Sequence, residues 1–351
     1  MSEELHDNRE CGMCNTVNPE GPKGADKRRA RLVRLLTIFF ALALCAGSSL
    51  SYAQVPPRFY WKTLMGSEGV PLIYMSMSGN ANPLDPAHVV TNAEFDAEII
   101  IAGYAKMLPL FGRSAMVAGL LPMGRVSSET TLGVFSASQN ASGFGDPMVE
   151  FDINLIGPPP IKNIPDLMRY EPGFSLDLLV DLYLPIGEYD RDEALNLGQN
   201  RWYGRLGAPI VWQFGPWVPG QRTTLDLLPS LWLYSDNNDF QGGTLETDPM
   251  FQVEGHLTHD LIETLWGSLD VTWITGGKST IDGGSGESLD NLGLGFTLGY
   301  QLSEKMQLTI GYMASVNDSA PDDLRMDVFR ISLLYGWHKM IEGMGRLEEG
   351  G

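Results

Sequence analysis

The sequence predicts an all-β protein, a transmembrane antiparallel β-barrel of about twelve strands. Three observations predict it. A cleavable export signal stands near the start of the chain. A ladder of short, two-faced strands fills Asp146 to Tyr335. No apolar run near ~18 residues follows the signal, so helical spanning is excluded. The ladder is clearest from Val328 to Trp337. Phe329, Ile331, Leu333, Tyr335 and Trp337 fall on one face; Arg330, Ser332, Leu334, Gly336 and His338 fall on the other. One greasy face and one small, mostly polar face suit a strand with lipid outside and water within.

Three segments follow from this reading: a polar extension plus signal peptide over 1–53, the barrel over 54–337, and a tail over 338–351. Lys27, Arg28, Arg29, Arg31 and Arg34 form the basic n-region, and Leu35 to Ala46 the apolar run. Ser51-Tyr52-Ala53 then places small residues at the −3 and −1 positions before Gln54. Met1 to Asp26 is polar and without apolar period, so it has no core of its own. Cys11 and Cys14 make one CxxC with no further metal ligands nearby, and Leu44 before Cys45 disfavours lipoprotein processing. All three cysteines precede Gln54, so the exported chain has no disulfide. No cofactor or metal is expected.

The chain carries 24 Lys and Arg against 43 Asp and Glu. Seven basic and six acidic residues precede Gln54, which leaves 17 against 37 and a formal charge of −20 in the exported part. Such a surface argues against nucleic acid as a partner.

Candidate strands lie near 70–78, 93–105, 114–123, 146–156, 173–184, 202–214, 223–234, 249–258, 264–274, 290–301, 305–315 and 327–337. The even total returns both ends of the barrel to one side. Phe174, Leu176, Leu178, Val180, Leu182 and Leu184 oppose Asp177 and Asp181; Val149, Phe151, Ile153 and Leu155 oppose Glu150, Asp152 and Asn154. A soluble sandwich also alternates. Trp202, Tyr203, Trp212, Trp232, Tyr234, Trp266, Trp273, Tyr312, Tyr335 and Trp337 gather near strand ends, as two membrane-interface girdles require. Gly157-Pro158-Pro159-Pro160 ends a strand. Connectors at 124–145, 185–201, 235–248 and 275–289 are long enough for the extracellular side. Val134, Phe135 and Phe144 in the first read either as an inward-folded gate or as an ordinary surface loop.

The polar faces name the candidate site. Glu94, Asp96, Glu98, Glu150, Asp152, Asp177, Asp181, Asp226, Glu254 and Asp270 fall on faces assigned to the lumen, with His256 beside them. Arg125, Arg201, Arg205 and Arg330 are placed to oppose them. Two readings stay open: a transverse field that selects cations, or internal pairing that any polar barrel interior needs. His256 and His259 fall on opposite faces of a strand and do not grip one metal together. No GxSxG occurs, and His256 with Glu254 is the one base–acid pair on a shared inward face. The chain is therefore not expected to be an enzyme, with lipid-modifying hydrolysis the remote exception.

Several motifs stand in order: Ser142-Gly143-Phe144-Gly145-Asp146-Pro147, Leu184-Pro185-Ile186-Gly187-Glu188-Tyr189-Asp190, and Leu195-Asn196-Leu197-Gly198-Gln199-Asn200-Arg201-Trp202. Tyr234-Ser235-Asp236-Asn237-Asn238-Asp239-Phe240, Leu245-Glu246-Thr247-Asp248-Pro249 and His256 follow. The series resembles the outer-membrane transporter family named for the meta-cleavage pathway of phenol degradation, the phenol-degradation MetA-pathway family. The resemblance covers most of 70–337 and implies an outer-membrane barrel that passes small organic, often aromatic or hydrophobic, solutes. The expected function is a porin-like channel working by passive or facilitated diffusion; the alternative is a structural or adhesive surface barrel with a blocked lumen. Expected partners are membrane lipid, the solute and the outer-membrane assembly machinery. The tail after Trp337 departs from barrels that stop at a terminal aromatic.

Overall fold

The computed structural model describes residues 55–82, 84, 93–132, 135–286, 288–316 and 324–342. The export signal, the CxxC, Val134 and the end of the tail lie outside the described residues.

The chain forms β1 (Glu68–Gly79), β2 (Ala93–Leu110), β3 (Arg113–Leu132), β4 (Phe135–Phe144) and β5 (Met148–Ile156). A short helix, α1 (Ile164–Arg169), precedes β6 (Phe174–Tyr183), β7 (Tyr203–Gly207), β8 (Ile210–Phe214) and β9 (Thr223–Tyr234). Then come β10 (Asn237–Phe240), β11 (Gly243–Thr247), β12 (Met250–Asp260), β13 (Leu265–Gly276), β14 (Ser279–Ile281) and β15 (Gly284–Ser285). The series ends with β16 (Leu289–Ser303), β17 (Met306–Ser315) and β18 (Met326–Trp337).

All pairings are antiparallel, and β18 closes on β1 from Glu68 opposite Trp337 to Gly79 opposite Met326. β4 and β5 both pair with β3 and act as one interrupted wall strand; β7 and β8 do the same between β6 and β9. The wall therefore has twelve strands and no free edge. β10, β11, β14 and β15 form a separate small sheet in the loops at one end.

Both termini of the wall lie at the end with the tight turns, the periplasmic end of such a barrel. Phe111 and Gly112, with φ of 50° and 75°, connect β2 to β3 in two residues. Two positive φ values in a two-residue hairpin match the twist of its strands, and glycine supplies the second without strain. One periplasmic connector is longer: residues 157–173 follow the proline run and carry α1, capped by Asn163 accepting the Asp166 N–H.

The outer face carries the lipid belt. Ile100, Val117, Val149, Leu178, Leu206, Leu231, Leu257, Leu269, Leu294 and Ile310 are all exposed there. Two of its upper-rim aromatics point their polar tips at carboxylates: Trp273 Nε1 donates to Asp290 and Tyr312 Oη to Asp327. Near the lower rim Tyr104, Tyr335 and Trp337 lie ring to ring. Rings with an apolar body and a polar tip belong at these two levels. Tyr203, Trp232, Tyr234 and Trp266, read above as girdle members, instead share the inward faces with Arg205, Asp226 and Asp260.

Above the belt the faces invert. On β2, Glu94, Asp96 and Glu98 are exposed, while Phe95, Ala97 and Ile99 are buried. This corrects the lumen assignment of those three acids; Arg125 is also outside, paired with Glu98 at 2.6 Å. Most of the connector expected at 124–145 is strand: β3 to Leu132 and β4 from Phe135 pair and carry the wall past the membrane, with Phe144 half exposed rather than a gate. Once the outer surface meets water, the pattern that buries apolar area turns inward. Phe95, Ile99, Val126, Leu195, Met250, Ile274, Met326 and Val328 form that core.

Leu269→Arg in the lipid belt should cost about 2–4 kcal/mol, whereas Asp96→Arg on the same outer face above the belt should be near neutral. Urea unfolding in lipid vesicles, followed by tryptophan fluorescence, measures both.

Candidate functional site in the barrel lumen

The inward faces bring ionisable residues into register across neighbouring strands. Glu150 stands opposite Asp181, Asp181 opposite Arg205, and Arg205 opposite Trp232. Arg205 donates from Nε to Asp181 at 2.6 Å and from Nη1 to Glu254 at 2.9 Å, with Trp232 under its guanidinium. A second rung runs Asp226, His256, Asp270. Asp270 takes His256 Nδ1 at 2.8 Å, the Thr297 hydroxyl at 2.6 Å and the Ser268 hydroxyl; Arg330 reaches Thr297 at 3.5 Å.

Of the residues assigned to the lumen from the sequence, Glu150, Asp152, Asp177, Asp181, Arg205, Asp226, Glu254, His256, Asp270 and Arg330 lie on wall strands, each no more than 7% exposed. Arg201 is buried too, but it leaves the loop after β6, donating to Gln199 and Thr247 and lying over Tyr234. His259 is exposed on the opposite face from His256. The partner of His256 is Asp270, across the strand pair, rather than Glu254 on its own strand. Ser268 donates to that same Asp270, so its hydroxyl is not aligned on the imidazole as an attacking serine would be.

In a water-filled pore the wall side chains would be wetted; here they are buried because the lumen is filled. The filler, which sequence reasoning missed, is the stretch just before β1. The Val55 N–H donates to Glu254 and the Arg58 N–H to Asp226, at 2.9 and 3.1 Å. The Arg58 guanidinium donates to Thr258 and, at 2.6 Å, to Asp260, sandwiched between Trp61 and Trp266. Gly299 leaves the slot for Trp266; a Cβ there would collide with the indole. Lys62 Nζ bridges Asp152 and Asp177. Tyr60 sits in an apolar notch of Leu179, Val211 and Leu228. Leu179 between Asp177 and Asp181, and Leu228 between Asp226 and Ser230, are breaks in otherwise polar faces that signal this notch in the sequence.

At the loop end residues 184–202 fold over the mouth. Asp146, in the break between β4 and β5, accepts the N–H groups of Gly187 and Gln199. A cavity of about 100 Å³ remains among Phe95, Tyr189, Leu195, Gln199, Asn237 and Phe240. Its Tyr189, Gln199 and Asn237 side chains are engaged in bonds that hold these loops.

Arg205→Met would strand Asp181 and Glu254 without their shared cation. The loss should be about 3–5 kcal/mol, read from the urea midpoint in vesicles; a loss under ~1 kcal/mol would mean the pair behaves as a solvated one.

The chain is similar to an outer membrane channel from Pseudomonas putida F1, with a TM-score of 0.65 and 22% identity over 81% of this chain and 100% of that one. The transport unit of the Escherichia coli autotransporter AIDA-I covers 84% of this chain and 97% of its own, at 9% identity and a TM-score of 0.44. No curated protein matches. A family model described as the MetA-pathway of phenol degradation matches residues 78–326, and the chain belongs to that family.

Proposed function

We propose that this barrel is an outer-membrane channel for small organic solutes, working by passive or facilitated diffusion and closed in this state by its own residues 55–64. The observation that carries the reading is the nature of the stopper. It is held by side-chain ion pairs and hydrogen bonds, not by strand pairing, so it can leave without unzipping the wall. The acidic wall behind it favours cations over anions. The family's name supports an aromatic or hydrophobic cargo, and the apolar mouth around Phe95, Leu195 and Phe240 is compatible with one. A second reading, a structural surface barrel with a blocked lumen, draws on the same filling.

In planar bilayers the wild-type protein should conduct rarely, and the Arg58→Gln/Lys62→Gln variant should conduct more often, with reversal potentials favouring cations. Firm anion selectivity would contradict the lumen assignment. Proteoliposomes of that variant should swell in phenol-like and sugar-like solutes; an inert pore would favour the structural reading.

A further inference from the structure

We propose that the periplasmic connector 215–222 is the latch of the stopper: its Trp217 and Arg222 set how often residues 55–64 leave the lumen, acting from the rim rather than from the lumen wall. The inference rests on the channel reading for what release does, but not for release itself.

The stopper has a fixed root and a freer length. At the root the Met65 N–H donates to the Ile161 carbonyl and the Gly66 N–H to that of Met107, at 2.7 and 2.9 Å, and His338 Nε2 meets the Met65 carbonyl at 3.1 Å. Gly66 turns there with a φ of 93°, which favours glycine. Before Leu64 the backbone turns on itself, with the N–H groups of Phe59 and Trp61 bonded back to Pro56 and Arg58. Its holds on the wall run through side chains. A stopper built this way pivots at 64–66.

The connector grips this length beside the pivot. The Trp217 ring centroid lies 4.6 Å from that of Trp61 and 6.4 Å from that of Tyr170 in the 157–173 connector. The Arg222 guanidinium lies over both indoles, at 5.4 and 5.5 Å, and Arg58 covers Trp61 at 4.2 Å. Trp217 is the one half-buried residue from Gly215 to Pro219; the others are exposed. Stacked rings and cations over their faces attract one another, and Trp217 gains its nearest ring only while the stopper is seated. Asp260 completes the grip. Its Oδ1 accepts from Arg58, while its Oδ2 accepts from Arg222 Nε at 2.7 Å and from the Gly220 N–H at 3.0 Å. One carboxylate therefore holds the stopper with one oxygen and the connector with the other.

The exported chain has no cysteine, so Val55→Cys supplies a single thiol whose labelling by a water-soluble maleimide reports the stopper leaving. In proteoliposomes, adding Trp217→Ala should speed labelling about tenfold, and Trp217→Phe should stay within about threefold of wild type. Val218→Ala, at its exposed neighbour, should change nothing. The urea midpoint, which would fall if Trp217 merely propped the barrel, should hold. Trp61→Ala removes the same contact from the other side, so adding Trp217→Ala to it should speed labelling by less than about twofold more. In planar bilayers Trp217→Ala should open about tenfold more often, at unchanged conductance per opening. Unchanged labelling in Trp217→Ala, an equal rise in Val218→Ala, additive effects of the two alanines, or a parallel fall in the urea midpoint would overturn the latch. Faster labelling without more conduction would retain the latch and refute the channel; more conduction with unchanged labelling would do the opposite.

Discussion

The structure depends on one constraint: carboxylates enclosed by a hydrogen-bonded wall must meet cations that are enclosed with them. A barrel in lipid turns its polar faces inward, and a narrow interior leaves them little water. Asp181 and Glu254 share Arg205; Asp152 and Asp177 share Lys62; Asp260 takes Arg58 and Arg222. Two of these four cations, Arg58 and Lys62, come from the stretch before β1. Filling of the lumen and neutralisation of its lining are thus done together, by the same ten-residue stretch of chain.

On the channel reading proposed above, that arrangement ties opening to electrostatics. A stopper fixed by strand pairing would open only by local unfolding of the sheet. One fixed by ion pairs has a release energy set by the balance between desolvation and pairing, which ligands and salt both change. The aromatic packing around Arg58, with Trp61 and Trp266 on its two sides, adds attraction that salt screens less. The apolar notch holding Tyr60 adds a term independent of charge.

Much of the wall was legible because side-chain period two needs no tertiary information. The alternation of Val149, Phe151 and Ile153 with Glu150, Asp152 and Asn154 appears in the structure as lipid face and lumen face. The same logic failed for Glu94, Asp96 and Glu98, because period two gives two faces without saying which solvent meets each. That choice changes along β2 where the wall leaves the membrane. The girdle reading failed at Trp232 and Trp266 for a related reason: rings near strand ends serve equally well as partners for Arg205 and Arg58. The stopper itself has no periodicity. Its one local signal was composition, with Arg58-Phe59-Tyr60-Trp61-Lys62 mixing basic and aromatic residues just ahead of the first strand.

The inversion of faces along β2 and β3 means that one continuous sheet answers to two solvents. Its loop end, with Phe95, Ile99, Met326 and Val328 packed inside and acids outside, obeys the rules of a water-soluble barrel. Urea should loosen that end first, while a change of detergent chain length is felt only by the belt below it.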